Sequence, residues 1–146
     1  MQICTHPSMT VLFSTRQTSL KELPSLTGTA VRELYRYVAD LDLLVCGPQQ
    51  WFYPMGEPRF TLEIVLPVQG KIPTALLPYF KRIPAYKCLT ARYAGPREGL
   101  AGQFQKMLQH INDNQLTMNG IYAESFLHID PDDPGSQITE IRIGLS

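Results

Sequence analysis

Two stretches of this chain are written on one plan, and that repetition constrains the fold more than any other feature. Glu63-Ile64-Val65-Leu66-Pro67-Val68 and Glu140-Ile141-Arg142-Ile143-Gly144-Leu145 each set a glutamate ahead of apolar residues at every second position. A period of two is that of a strand with one apolar face. Upstream of each stretch the period lengthens to that of a helix. Val31, Leu34, Tyr35, Val38 and Leu41 share one side, with Arg32, Glu33, Arg36 and Asp40 opposite; later, Leu100, Phe104, Met107, Leu108 and Ile111 share a side. Further strands are expected at 11–16, 49–53 and 60–68, and again at 86–93, 121–129 and 138–145. Gly47 and Gly120 stand at matching places between a helix and the next strand. Proline-bearing turns at 54–58 and 130–135 separate the last two strands of each copy. Each copy therefore reads β-α-β-β.

The copies span roughly 10–69 and 85–146, and the proline-broken segment 70–84 reads as the link between them. One copy alone buries too little surface to be stable. Side by side they make a single α+β domain over 1–146: two tandem β-α-β-β units forming one antiparallel sheet, both helices on one face and a ligand groove on the other. Strand alternation then selects the lining. Ile141, Ile143 and Leu145 are expected to meet the helices, together with Ile121, Ala123, Ser125, Leu127 and Ile129. Tyr122, Glu124, Phe126 and His128 are expected to point the other way. Moving back by the offset from Gly120 to Gly47 brings Gln49, Trp51 and Tyr53 to equivalent places, with Trp51 the counterpart of Glu124.

A carboxylate among aromatic rings suits a cation. Ring faces attract positive charge, and the Coulomb term grows as the local dielectric falls. The plainer alternative makes Tyr122 and Phe126 a cap on the sheet and Glu124 a solvated surface carboxylate. The aromatic or imidazole character of its neighbours on that face, and the sole tryptophan at the matching place, favour the receptor. Glu63 and Glu140 read as polar partners in amphipathic strands. His128 reads as a polar strand residue, His6 as part of a tail and His110 as helix surface.

Charge excludes other classes. Thirteen Lys and Arg balance thirteen Asp and Glu, and no basic stripe of the kind phosphate neutralisation requires is visible. The densest basic stretch, Lys81-Arg82 with Lys87, is interrupted by Pro84 and reads as a solvated loop, so no direct nucleic-acid binding is expected. No apolar run approaches membrane-spanning length, and 1–9 is too polar for a signal peptide. The expected setting is the cytoplasm, away from membrane. Cys4, Cys46 and Cys88 lack a C-x-x-C spacing, and Cys46 and Cys88 read as reduced core residues. No element carries metal-ligand spacing, and no cofactor is implied.

Taken together, several segments resemble the GyrI-like small-molecule-binding domain, which is also the effector-binding domain of BmrR- and Rob-type multidrug-responsive bacterial regulators. They are Cys46-Gly47-Pro48 before an aromatic strand, Leu62-Glu63-Ile64-Val65-Leu66-Pro67-Val68, Tyr93-Ala94-Gly95-Pro96 before a helix with Leu100, Glu124-Ser125-Phe126, and Thr139-Glu140-Ile141-Arg142-Ile143. The resemblance covers about 11–145. It implies a tandem β-α-β-β fold with a central groove for lipophilic, often cationic, aromatic compounds. It maps the family glutamate onto Glu124, with Phe126 where tyrosine is usual. Trp51, Tyr53, Tyr122 and Phe126 are then the expected stacking residues. Stand-alone relatives imply two other readings: a hydrolase of strained electrophilic compounds with Glu124 as general base, and a protein whose partner is gyrase or a regulator. With no helix-turn-helix module in the chain, a DNA-binding regulator is not expected.

Overall fold

The computed structural model describes residues 1–54, 56–70, 72 and 79–146, with 24–27 as backbone alone. It divides into two compact units: Ser8–Pro84, called here the first unit, and Met1–Pro7 with Ala85–Ser146, the second. In chain order the strands are β1 (Gln2–His6), β2 (Met9–Thr18), β3 (Leu44–Val45), β4 (Gln50–Phe52), β5 (Phe60–Gln69), β6 (Phe80–Ile83), β7 (Tyr86–Ala94), β8 (Met118–His128) and β9 (Ile138–Leu145). Helix α1 (Leu23–Asp40) follows β2 and α2 (Leu100–Asp113) follows β7. The strands pair antiparallel, and the fold class is α+β.

In the first unit β5 is central. It pairs with β2 on one side and β4 on the other, while β6 continues from β2 and β3 pairs with the end of β5. Ile64, Val65 and Leu66 are all fully buried. Both faces of β5 are therefore covered, although simple alternation places Val65 on a polar side. Helix α1 buries Leu23, Ala30 and Leu34 but leaves Tyr35 exposed, so its buried stripe is narrower than the periodicity suggests. Arg16 on β2 bonds Glu33 on α1 at 3.0 Å.

In the second unit β9 is central, between β7 and β8, and β1 lies outside β7. The segment expected to be a tail, His6 included, is thus an edge strand. Its ladder runs from Gln2 opposite Thr90 to His6 opposite Tyr86. Helix α2 buries Leu100, Met107 and Ile111.

Two further expectations change. Lys81 and Arg82 sit on strand β6 rather than in a solvated loop, and Lys81 pairs with Glu63 while lying over the Phe13 ring. Cys46 is exposed, not core. Its backbone N–H bonds the Pro67 carbonyl, which fixes the chain there without needing its side chain inside. No helix among the described residues is long and apolar enough to cross a membrane.

Candidate ligand-binding site

Strand β8 begins irregularly. Gly120 adopts a φ of +92°, a conformation that side chains disfavour. The Asn119 side chain braces the bend, its Oδ1 accepting the Ile121 N–H and its Nδ2 donating to the Leu145 carbonyl. The pairing with β9 shifts across this bulge and then runs regularly, Tyr122 opposite Ile143, Glu124 opposite Ile141 and Phe126 opposite Thr139.

Directly opposed residues share a face of the sheet. Tyr122, Glu124 and Phe126 therefore lie on the side of Ile141 and Ile143, not on the other side as alternation of apolar residues suggests. They are buried, Glu124 at 0% exposure, whereas Leu127 and Ile129 are exposed. The reading by hydrophobicity fails here because a charged side chain takes the inward place. The same face meets α2: the Phe104 and Tyr122 rings touch edge to face, centroids 5.4 Å apart.

An inward carboxylate needs partners, because an unpaired buried charge costs several kcal/mol. Glu124 Oε1 accepts from Arg97 Nη1 at 2.8 Å, and Oε2 accepts from the Tyr122 hydroxyl at 2.8 Å. Arg97 was not singled out from the sequence. It stands on a short 3-10 turn, Arg97–Gly99, just ahead of α2. Gly95, at φ +143°, makes the approach to that turn and donates its N–H to the Gln137 carbonyl. The Tyr93 hydroxyl then bonds the Pro96 carbonyl at 2.9 Å, and a Cβ on Gly99 would collide with that hydroxyl. The available signal was the run Gly95-Pro96-Arg97-Glu98-Gly99, a glycine-bounded turn carrying a cation. The ion pair is asymmetric in its setting, with the Arg97 side chain 33% exposed and that of Glu124 1%.

Trp51 and Tyr53 belong to the first unit. Trp51 is opposite Ile64 in the β4–β5 ladder, and Tyr53 stacks on Phe60 with centroids 5.0 Å apart. Both are buried. His128 is exposed.

The opposite face of the second unit carries another buried charge. Arg142, 1% exposed, donates to the Tyr86 hydroxyl, Ser125 Oγ and Glu140 Oε1 at 2.8, 2.6 and 2.8 Å. His6 stacks on Tyr86. Burial, and then the Arg142 charge, hold the His6 pKa below its ordinary value of 6.5. Burial pushes the Tyr86 phenol above 10, against the pull of Arg142.

No family model and no curated protein sequence matches the chain. Solved structures do. The EcmrR C-terminal domain aligns with a TM-score of 0.82 at 18% identity, over 99% of this chain and 96% of that one. The chain has the fold of that domain. It spans 56% of the EcmrR chain in its complex with DNA. A hydrolase from Listeria innocua is similar to this chain with a TM-score of 0.72 at 15% identity, over 99% and 91% of the two chains. SAV2435 bound to tetraphenylphosphonium gives 0.63 at 13%, over 99% and 93%.

Proposed function

We propose that the chain binds small lipophilic organic cations, with Glu124 as counterion and Arg97 as the resident cation that the guest displaces. The observation that carries this reading is the fully buried Glu124 carboxylate, bonded by the hydroxyl of Tyr122, whose ring meets Phe104, and neutralised by an arginine from a surface turn. Such a carboxylate has already been desolvated by folding, so a guest cation meets it at low dielectric, where the attraction is strong. The aromatic faces add to that attraction and cover the apolar part of the guest. Arg97 is the group best able to yield, because its side chain already reaches water. The shared fold with SAV2435, which is bound to tetraphenylphosphonium, supports a guest of this class.

A hydrolase would use the same carboxylate to take a proton from water. Here each Glu124 oxygen already accepts a hydrogen bond, one from Arg97 and one from Tyr122. That arrangement suits a counterion better than a base, although the Listeria innocua hydrolase shares the fold.

Calorimetric titration with tetraphenylphosphonium, and with the neutral triphenylphosphine oxide as control, tests the reading. Glu124→Gln should weaken the cation about tenfold or more, in line with the roughly 1.5–3 kcal/mol of a charge-assisted contact, and leave the neutral compound nearly unchanged. Equal affinity of both proteins for the phosphonium would remove Glu124 from recognition.

A further inference from the structure

We propose that Cys4 and Cys88 are a modification site, a thiol pair that closes into a reversible cross-strand disulfide between β1 and β7 when the protein meets a peroxide. The two cysteines are eighty-four positions apart in sequence, yet they stand directly opposite each other in the β1–β7 ladder with their sulfurs 3.8 Å apart. Opposed residues of an antiparallel pair have Cα atoms about 4.5–5.5 Å apart, inside the roughly 4.4–6.8 Å that a disulfide spans. Small side-chain rotations therefore suffice to bring the sulfurs to bonding distance. The third cysteine, Cys46, belongs to the first unit and is exposed.

The two sulfurs differ in access, which sets the order of events. Cys4 is half-buried on the strand outside β7, whereas Cys88 is fully buried. The Cys4 sulfur attacks one peroxide oxygen, the O–O bond breaks, and Cys4 becomes a sulfenic acid with release of water. The Cys88 thiolate then attacks the Cys4 sulfur. The S–S bond forms, the S–O bond breaks, and the departing hydroxide leaves as water with the proton Cys88 gave up. Two thiols and one peroxide yield one disulfide and two waters, the sulfurs supplying both electrons. Burial and the neighbouring Cys4 push the Cys88 thiol up to about 12, so the second step is slow near neutrality. Its rate should rise about tenfold per pH unit as the thiolate fraction grows.

The full chain with Cys46→Ser, which removes the exposed thiol, is treated with hydrogen peroxide, quenched with catalase and examined by intact mass and non-reducing peptide mapping. Expected are loss of two hydrogens, a Cys4–Cys88 linked peptide, reversal by dithiothreitol, and a Tm higher by about 10 °C from closing a long loop. Between pH 7 and pH 9 the dimedone-reactive sulfenate should disappear about a hundredfold faster. Adding Cys4→Ser should abolish both the mass loss and the reaction at Cys88. Oxygen accumulating on Cys4 without a link, or a link found only between two chains, would overturn the proposal. Should Cys46→Ser perturb folding, peptide mapping of the unsubstituted chain separates the same outcomes, because each linked peptide names its own two cysteines.

Discussion

The two units solve one packing problem in different ways. Each has a central strand buried on both faces, β5 in the first and β9 in the second. At matching places in the parallel sequences, the first has Val65 and the second Arg142, both buried to within 1%. The neighbouring strands differ in the same sense. Trp51 stands opposite Ile64 in the first unit, while Glu124 stands opposite Ile141 in the second. At these positions the first unit packs apolar and aromatic groups and draws stability from their removal from water. The second holds an arginine on one face and a glutamate on the other, and each requires a set of partners. Buried ion pairs are weak contributors to stability compared with apolar residues of equal size. What they provide is fixed charge at a fixed place. A receptor for a charged guest needs that, and the first unit's interior lacks it at these positions.

The most severe way to break this comparison is to make the second unit copy the first. Arg142→Val removes the donor shared by Tyr86, Ser125 and Glu140 and leaves a gap where the long side chain ran. The expected loss is about 3–5 kcal/mol in urea unfolding. Val65→Ala in the first unit should cost about 2 kcal/mol, the loss of two buried methyl-sized groups and a small cavity. A loss under about 1 kcal/mol for Arg142→Val would mean that the polar network contributes little to holding the unit together.

That contrast also marks what the sequence could tell. The repeated glutamate-led strands placed the principal strands and both helices close to where they stand, because period and turn residues are local signals. The edge strand β1 was not legible. Gln2 to His6 carry no apolar alternation, and the strand exists through its ladder to β7, eighty-four residues away at Cys88. Glu124 was found through its aromatic neighbours, but its direction was misread, since hydrophobic alternation assumes that charge faces water. The partner that makes the inward direction tolerable, Arg97, lies 27 positions earlier on a turn. Only the fold brings the two together.

Arg97→Gln probes the ion pair from its exposed side. The folded protein should lose about 1–3 kcal/mol, the discount reflecting the solvent that already screens the arginine. Affinity for tetraphenylphosphonium should move the other way and rise about three- to tenfold, because the guest no longer competes with a resident cation. Opposite signs in the two measurements separate displacement from simple damage. A fall in affinity alongside the fall in stability would show that the arginine helps to hold the guest.

The smallest expected effect is one of pH, and it too distinguishes the units, since all three histidines, His6, His110 and His128, lie in the second. His6 has its pKa lowered by burial against Tyr86 and by the Arg142 charge. Its unfolded form takes up a proton near 6.5 while the folded form resists, so the unfolded state binds more protons below that pH. Stability contributed here is complete above 6.5 and declines as pH falls through the lowered folded value. At the alkaline end the direction reverses. Cys88, raised from 9.0 to about 12, keeps its proton in the folded state longer than in the unfolded one, so stability declines as pH rises past 9. Urea unfolding across about pH 5 to 8 should therefore show a shallower acid decline in His6→Gln than in the unsubstituted protein. Arg142→Val should flatten the same limb in part, because it removes the second cause of the His6 shift. If His6→Gln left the acid limb unchanged, its stack on Tyr86 would carry no proton linkage.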